Sequence, residues 1–275
     1  MQTLINGSPK NEVSVMDRGF LYGDGAFETL RVQDGRVILL EQHLKRLQRA
    51  CHSLKIKFDD TLVLDELIQL CKNSRGNMAA KIIITRGAGG RGYTPPYGVE
   101  GTRILQLFDQ SPLTDANEEG ISVTVCQHRL SQSTTLAGIK HLNRLDQVLA
   151  SSELMGQYDE GLCLDVENHV IEGTKSNILL RLGDQIFGAD LSKSGVHGIM
   201  LEELIRGIRA QGRQVITKNL TLDDIFNAEE LVFCNSVAGI SPVIKLTESD
   251  RVKHWPIGNL FHQAIKLKND AFAST

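Results

Sequence analysis

The sequence predicts an α+β chain built as two domains, and three observations predict it. Some segments repeat apolar residues every three or four positions while others alternate, with hairpins and longer crossovers mixed throughout. The 275 residues are enough for two cores of ordinary size. One mid-chain stretch, "DQSPLTDANEEG", is polar, holds a proline and has no periodicity, which marks a connection. The predicted division is residues 1–109, a connection at 110–120, and residues 121–275, with α and β mixed on both sides.

Taken in order, "AFETLRVQDGRVILL" alternates on both sides of Asp34-Gly35, a strong hairpin signal. "EQHLKRLQRACHSLKI" then sets Leu44, Leu47, Cys51 and Leu54 on one helix face, and "LVLDELIQLCK" is a second helix. "AAKIIIT" and "TRILQLF" read as strands. Beyond the connection come a strand "ISVTVC", a long loop, and a helix from about His141 to Met155. Several strands follow between Gly161 and Phe187, then the helix "GIMLEELIRGIRAQG", a strand near Val215, another at "ELVFC", and a last helix around "IGNLFHQAIKLK".

Composition narrows the class of function. At 41% hydrophobic and 23% charged the chain reads as an ordinary soluble globular protein. A formal net charge of -3 gives no electrostatic case for nucleic acid or an anionic membrane. The longest apolar runs, Val37–Leu40 and Ile82–Ile84, fall far short of a membrane span. The first residues carry neither a signal peptide pattern nor an Arg-rich presequence, so a cytoplasmic protein is expected. The five cysteines are scattered and no pair has C-x-x-C spacing. The eight histidines show no ligand spacing either, so no metal is expected.

"TRGAGGRGYTPP" contains G-x-G-x-x-G at Gly87, Gly89 and Gly92, and Asp109 follows about 20 residues on, as in a dinucleotide fingerprint. Such a loop must open into a helix facing the pyrophosphate. Here Pro95 and Pro96 oppose any helix, so the fingerprint fails. A glycine-rich loop with Arg86, Arg91 and Tyr93 suits a wall closing over an anionic small molecule instead.

Five features carry candidate chemistry. Lys140 in "LAGIKHLNRLDQVLA" is either a solvated charge or a partly desolvated amine held as a nucleophile for a carbonyl. Glu172 in "HVIEGTKSNILL" is either an edge-strand surface residue or a buried acid in need of a cationic partner. "GVHGIM" leads Gly195 and Gly198 into a helix, whose first N–H groups make an anion site. Ser236, in "FCNSVAGISP", is placed to donate to the same anion. Arg46 lies off the apolar stripe of its helix, where a solvated face is the commonest fate.

Together, "DRGFLYGDGAFETLRV", the arginine of "HLKRL", "GIKHLNRLDQVLA", "IEGTKSNILL", "GVHGIM" and "NSVAGISPV" resemble, in order and spacing, the fold-type IV pyridoxal-phosphate enzymes. The resemblance covers nearly the whole chain. It implies the two-domain fold of D-amino-acid aminotransferases, with pyridoxal 5'-phosphate between the domains and its lysine in the second. By it, Lys140 is the Schiff-base lysine and Glu172 the carboxylate that keeps the pyridine nitrogen protonated. Arg46 is the phosphate arginine, joined by the amides of Ile199, Met200 and Val237 and by Ser236. Asn177 stands beside the ring. The resemblance also implies a homodimer.

Within that family, "RGAGGRGYTPP" and "LAGIKHLNRLDQVLA" are more similar to the aminodeoxychorismate lyases than to the aminotransferases. That implies conversion of 4-amino-4-deoxychorismate to 4-aminobenzoate and pyruvate, in folate biosynthesis. D-amino-acid aminotransferases carry a tyrosine where this chain has Phe27 and a histidine where it has Tyr93; branched-chain aminotransferases carry a tyrosine where it has Leu145. Phe27 is either a pocket wall or a plain core aromatic. Thr29 points the same way along its strand. Arg91 and Tyr93 are the candidates for the substrate carboxylates.

Overall fold

The computed structural model describes residues 2–109 and 119–274. Those residues form two compact units: 2–109 with Ile139–Asn143, and 119–138 with 144–274. Most of the expected connection, residues 110–118, lies outside the described residues.

The first unit runs β1 (Gln2–Ile5), β2 (Ser8–Pro9), α1 (Arg18–Tyr22), β3 (Gly25–Gln33), β4 (Arg36–Val37), α2 (Leu40–Ser53), α3 (Asp60–Cys71), β5 (Asn77–Thr85) and β6 (Arg103–Asp109). Among the described residues its sheet has six strands in the order β2-β1-β6-β5-β3-β4. The Asp34-Gly35 turn closes the β3–β4 hairpin, with both residues at positive φ. The α2 stripe forms as the spacing predicts: Leu47 and Cys51 are buried, and Leu44 and Leu54 pack against the same cluster. Val63, Leu67 and Leu70 of α3 join it, over Leu30 of β3 and Ile82 of β5. Asp59 starts α3 by accepting the Leu62 N–H.

The second unit runs β7 (Ile121–Leu130), α4 (Leu145–Ser152), β8 (Glu160–Asp165), β9 (Val170–Gly173), β10 (Asn177–Leu182), β11 (Gln185–Ala189), α5 (Ile199–Ala210), β12 (Val215–Lys218), α6 (Leu222–Asn227), β13 (Glu230–Asn235), β14 (Gly239–Glu248), β15 (Arg251–His254) and α7 (Asn259–Ala273). Among the described residues its sheet has nine strands, in the order β12-β11-β10-β13-β14-β7-β8-β9 with β15 paired to β14. β8 is buried along its whole length, as a strand covered on both faces should be. Helices α5 and α7 pack on each other and on β13. β14 was not legible as a strand, because Pro242 and the run from Lys245 break its alternation.

Two expectations differ. The helix expected from His141 begins at Leu145, and Lys140 packs with the first unit, not the second. Both follow from one cause. Residues 139–142 run alongside the start of β3: Phe27 N–H donates to the Lys140 carbonyl (3.0 Å), Leu142 N–H to the Gly25 carbonyl (2.9 Å), and His141 bridges Ala26. Backbone groups spent on a strand cannot also open a helix. Ile139 packs on the first unit's core beside them. All five cysteines are buried and free. Among the described residues no helix is long and apolar enough to cross a membrane.

Candidate active site

In the first unit the site grows from the two faces of β3. Ala26, Glu28, Leu30 and Val32 face the core, while Phe27 and Thr29 alternate out and are only half-buried. Phe27 is therefore not a core aromatic. The half-buried Lys140 sets its Nζ 4.5 Å from the Phe27 ring centroid, with Lys81 Nζ 5.2 Å from it. The structure thus brings Lys140 and Phe27 together.

On the core face Glu28 is 1% exposed and gathers two side chains of α2. Arg46 grips it side-on, Nε to Oε1 at 2.7 Å and Nη2 to Oε2 at 2.6 Å, and His43 Nδ1 lies 2.7 Å from Oε2. His43 and Arg46 sit three residues apart, hence on one helix face. Burial alone would push the Glu28 carboxyl up, but the Arg46 charge and the hydrogen bonds from Arg46 and His43 overcome it and hold it at about 2. Burial pushes His43 towards its neutral form against the pull of Glu28, and the charges of Arg46 and Lys140 add to that push. With Glu28 ionised, Nδ1 carries the His43 proton, as the network assigns it. The buried Nε2 has no partner among the described residues. Arg46 is therefore buried and ion-paired, the opposite of a solvated face.

Arg91 and Tyr93 lie on the glycine-rich segment between β5 and β6, both exposed. No helix follows Gly92, as the prolines require.

In the second unit Glu172 is 5% exposed on β9, a strand at the sheet's end. The edge position was legible, but the buried acid is what forms. Its Oε2 accepts the Val196 N–H at 2.9 Å, and Gln147 and Asn177 amides stand at 3.4 and 3.5 Å. The Arg144 guanidinium, itself lowered by burial, feels the Glu172 charge. Asn177 Nδ2 also donates to the Val196 carbonyl at 2.9 Å, so the chain entering α5 is clamped between the two side chains. Gly198 opens α5, and no side chain caps it. A Cβ on Gly198 would stand 1.8 Å from Asn177 Oδ1, so only glycine permits this approach. The first amides of α5, at Ile199 and Met200, are thereby fixed relative to Glu172.

Ser236 is half-buried in the turn after β13. The Val237 amide, expected to donate to a phosphate, donates to Asn235 Oδ1 (2.9 Å), as does Ala238 N–H (2.6 Å). An Asx turn has taken that donor. Asn235 is tied in turn to the Ser176 hydroxyl at 3.1 Å.

Sequence reasoning missed Glu28, His43 and Arg144. The signal for Glu28 was present, since a charge in phase with Ala26, Leu30 and Val32 must find a cation inside. Arg144 carried none.

The chain is similar to known proteins along most of its length. Residues 25–246 match the amino-transferase class IV family. An aminodeoxychorismate lyase of Vibrio harveyi is 34% identical over 259 residues, covering 93% of this chain and 95% of that protein. A putative branched-chain-amino-acid aminotransferase of Methanocaldococcus jannaschii is 32% identical over 259 residues, 90% and 88% of the two chains. The crystal structure of 4-amino-4-deoxychorismate lyase from Pseudomonas aeruginosa superposes with a TM-score of 0.89 at 40% identity, covering 98% of each chain. The chain belongs to the amino-transferase class IV family.

Proposed function

We propose that this chain is a pyridoxal-phosphate-dependent lyase that converts 4-amino-4-deoxychorismate to 4-aminobenzoate and pyruvate. The observation that carries it is Lys140 Nζ over Phe27, in a chain 34% identical to an aminodeoxychorismate lyase along 93% of its length. Phe27 has no hydroxyl to offer, whereas the Lys140 amine beside it can move a proton, and this elimination needs only one group to do so.

The residues fit the cofactor. Glu172 is a buried carboxylate oriented by the Val196 N–H and the Gln147 amide, and an acid so placed suits a protonated ring nitrogen. The uncapped start of α5 suits a phosphate; Arg46, given that part by the resemblance, already holds Glu28 through Nε and Nη2. By the resemblance, the residues that would hold the cofactor are Lys140, Arg46, Glu172, Asn177, Ile199, Met200 and Ser236. When bound, pyridoxal phosphate supplies an electron sink that makes the substrate carbon acidic.

Lys140 Nζ takes the proton from the substrate carbon that bears the amine. It returns a proton to the departing enolpyruvyl group, which leaves as pyruvate while the ring becomes aromatic. Phe27 and Thr29 line one wall, and Arg91 and Tyr93 take the substrate carboxylates. A homodimer and a cytoplasmic setting in folate biosynthesis belong to the same reading, which rests there on resemblance.

The test supplies purified protein with pyridoxal phosphate and aminodeoxychorismate, and follows both products. Equal amounts of 4-aminobenzoate and pyruvate are expected. Lys140→Ala should lower turnover by about 10³-fold or more. It should also remove the visible absorbance the cofactor acquires on an amine. No product from the first substrate, with D-alanine and 2-oxoglutarate turned over instead, would replace the lyase by an aminotransferase.

A further inference from the structure

The loop between β5 and β6 has too many glycines to hold its own shape. Gly87, Gly89, Gly90, Gly92 and Gly98 all have positive φ, from 63° to 134°. Glycine is the least restricted residue, so such a backbone is costly to order. Among the described residues, none of the loop belongs to the first unit's core cluster. Something outside the loop must fix it.

The segment around α1 does so at two points. At the loop's base, Arg18 N–H donates to the Gly87 carbonyl (2.9 Å), Gly89 N–H donates to the Met16 carbonyl (3.3 Å), and Asp17 bridges Ala88. At the loop's far end the Arg18 side chain takes over. Its Nη1 donates to the Gly92 carbonyl and its Nη2 to the Tyr93 carbonyl, both at 3.0 Å. Its Nε donates to Asp24 Oδ2 at 3.0 Å, and the residue is 3% exposed. The guanidinium also lies over the Tyr22 ring at 4.7 Å, and that ring meets Tyr93 edge-on with centroids 5.6 Å apart.

Asp24 anchors the arrangement. The same carboxylate takes Arg86 Nε at 2.7 Å, and Arg86 donates on to the Leu54 and Lys55 carbonyls at the end of α2. Burial would raise the Asp24 carboxyl, but its hydrogen bonds from Arg86 and Arg18 outweigh that and hold it low. The buried cation thus has a fixed counter-ion and spends its remaining donors on two adjacent carbonyls. Only a planar fork reaches three acceptors at once; a lysine offers a single point.

We propose that Arg18 is the positioning residue of the glycine-rich loop, fixing the backbone at Gly92 and Tyr93 and so setting where Arg91 and Tyr93 meet the substrate carboxylates. The proposal rests on the lyase reading above for the identity of that substrate. Arg18 acts through the loop and not on the substrate. Its loss frees the loop while β5 and β6 stay folded.

The experiment compares wild type, Arg18→Lys, Arg18→Met and Arg91→Ala, each loaded with pyridoxal phosphate. It reads KM and kcat for aminodeoxychorismate, and hydrogen exchange of residues 88–98 without substrate. Both Arg18 variants should raise KM about tenfold with kcat within about twofold. Loop exchange should quicken about tenfold while β5 and β6 remain protected. Arg91→Ala should raise KM with loop exchange unchanged. Unaltered loop exchange in the Arg18 variants, beside a raised KM in Arg91→Ala, overturns the part given to Arg18 alone. An unchanged KM in Arg91→Ala overturns the substrate contact and the proposal with it. If β5 and β6 lose protection together with the loop, Arg18 is a residue of general stability and the proposal fails.

Discussion

Glu28 and Glu172 are both buried carboxylates on strands, 1% and 5% exposed, yet they are held in different ways. Glu28 is closed off by the chain itself, with a guanidinium on both oxygens and an imidazole on one. Glu172 accepts from the Val196 N–H, stands near the amides of Gln147 and Asn177, and feels the charge of the Arg144 guanidinium. The first arrangement completes an ion pair inside the fold. The second is a mixed shell, in which a backbone N–H and two side-chain amides orient the carboxylate beside a guanidinium charge. Burial alone therefore does not tell one acid's part from another's.

The comparison breaks most readily at Glu28. Glu28→Gln leaves Arg46 as a buried cation without its carboxylate, and should cost about 3–5 kcal/mol of folding stability in a denaturant titration. The effect depends on pH with a definite sign. The Glu28 carboxyl sits at about 2 in the fold, against roughly 4.3 in an unfolded chain. Its contribution is therefore complete above that unfolded value and drains away as pH falls towards 2. The stability gap between wild type and variant should narrow across that window. A gap that stayed constant would place the stabilisation in packing instead of charge.

Glu172→Gln should act the other way round. Turnover should fall about a hundredfold, with a smaller loss of folding stability than Glu28→Gln shows, because the Val196 N–H and the side-chain amides can still donate to the new amide oxygen. A large stability loss with full activity would make Glu172 the structural acid. Gly198→Ala should cost about 1–3 kcal/mol, less than Glu28→Gln. The added methyl must displace Asn177 Oδ1, which frees the chain entering α5 and should weaken cofactor binding in a fluorescence titration. Unaltered binding would show that α5 is held by its other contacts.

Much of this was legible in the sequence, for physical reasons. The α2 stripe, the Asp34-Gly35 hairpin and the failed dinucleotide fingerprint are set by residues within a few positions of each other. Glu28 could also have been found, because strand alternation places it inward. What escaped was set by distant partners. The Arg18 contacts span 74 and 75 residues of sequence. Lys140 joins the first unit because residues 139–142 pair with β3, more than a hundred residues earlier. The Val237 amide was lost to a side chain only two residues away, an Asx turn that "CNSVAG" could have announced.

The cysteines have a use that their silence in the mechanism conceals. Burial pushes the thiols of Cys51 and Cys234 up to about 12 and that of Cys71 to about 11. Native protein near neutral pH therefore offers an alkylating reagent almost no thiolate at these positions. Cys51 and Cys71 lie in the first unit and Cys234 in the second. Each therefore reports the opening of its own unit, so alkylation followed site by site would time the two openings separately.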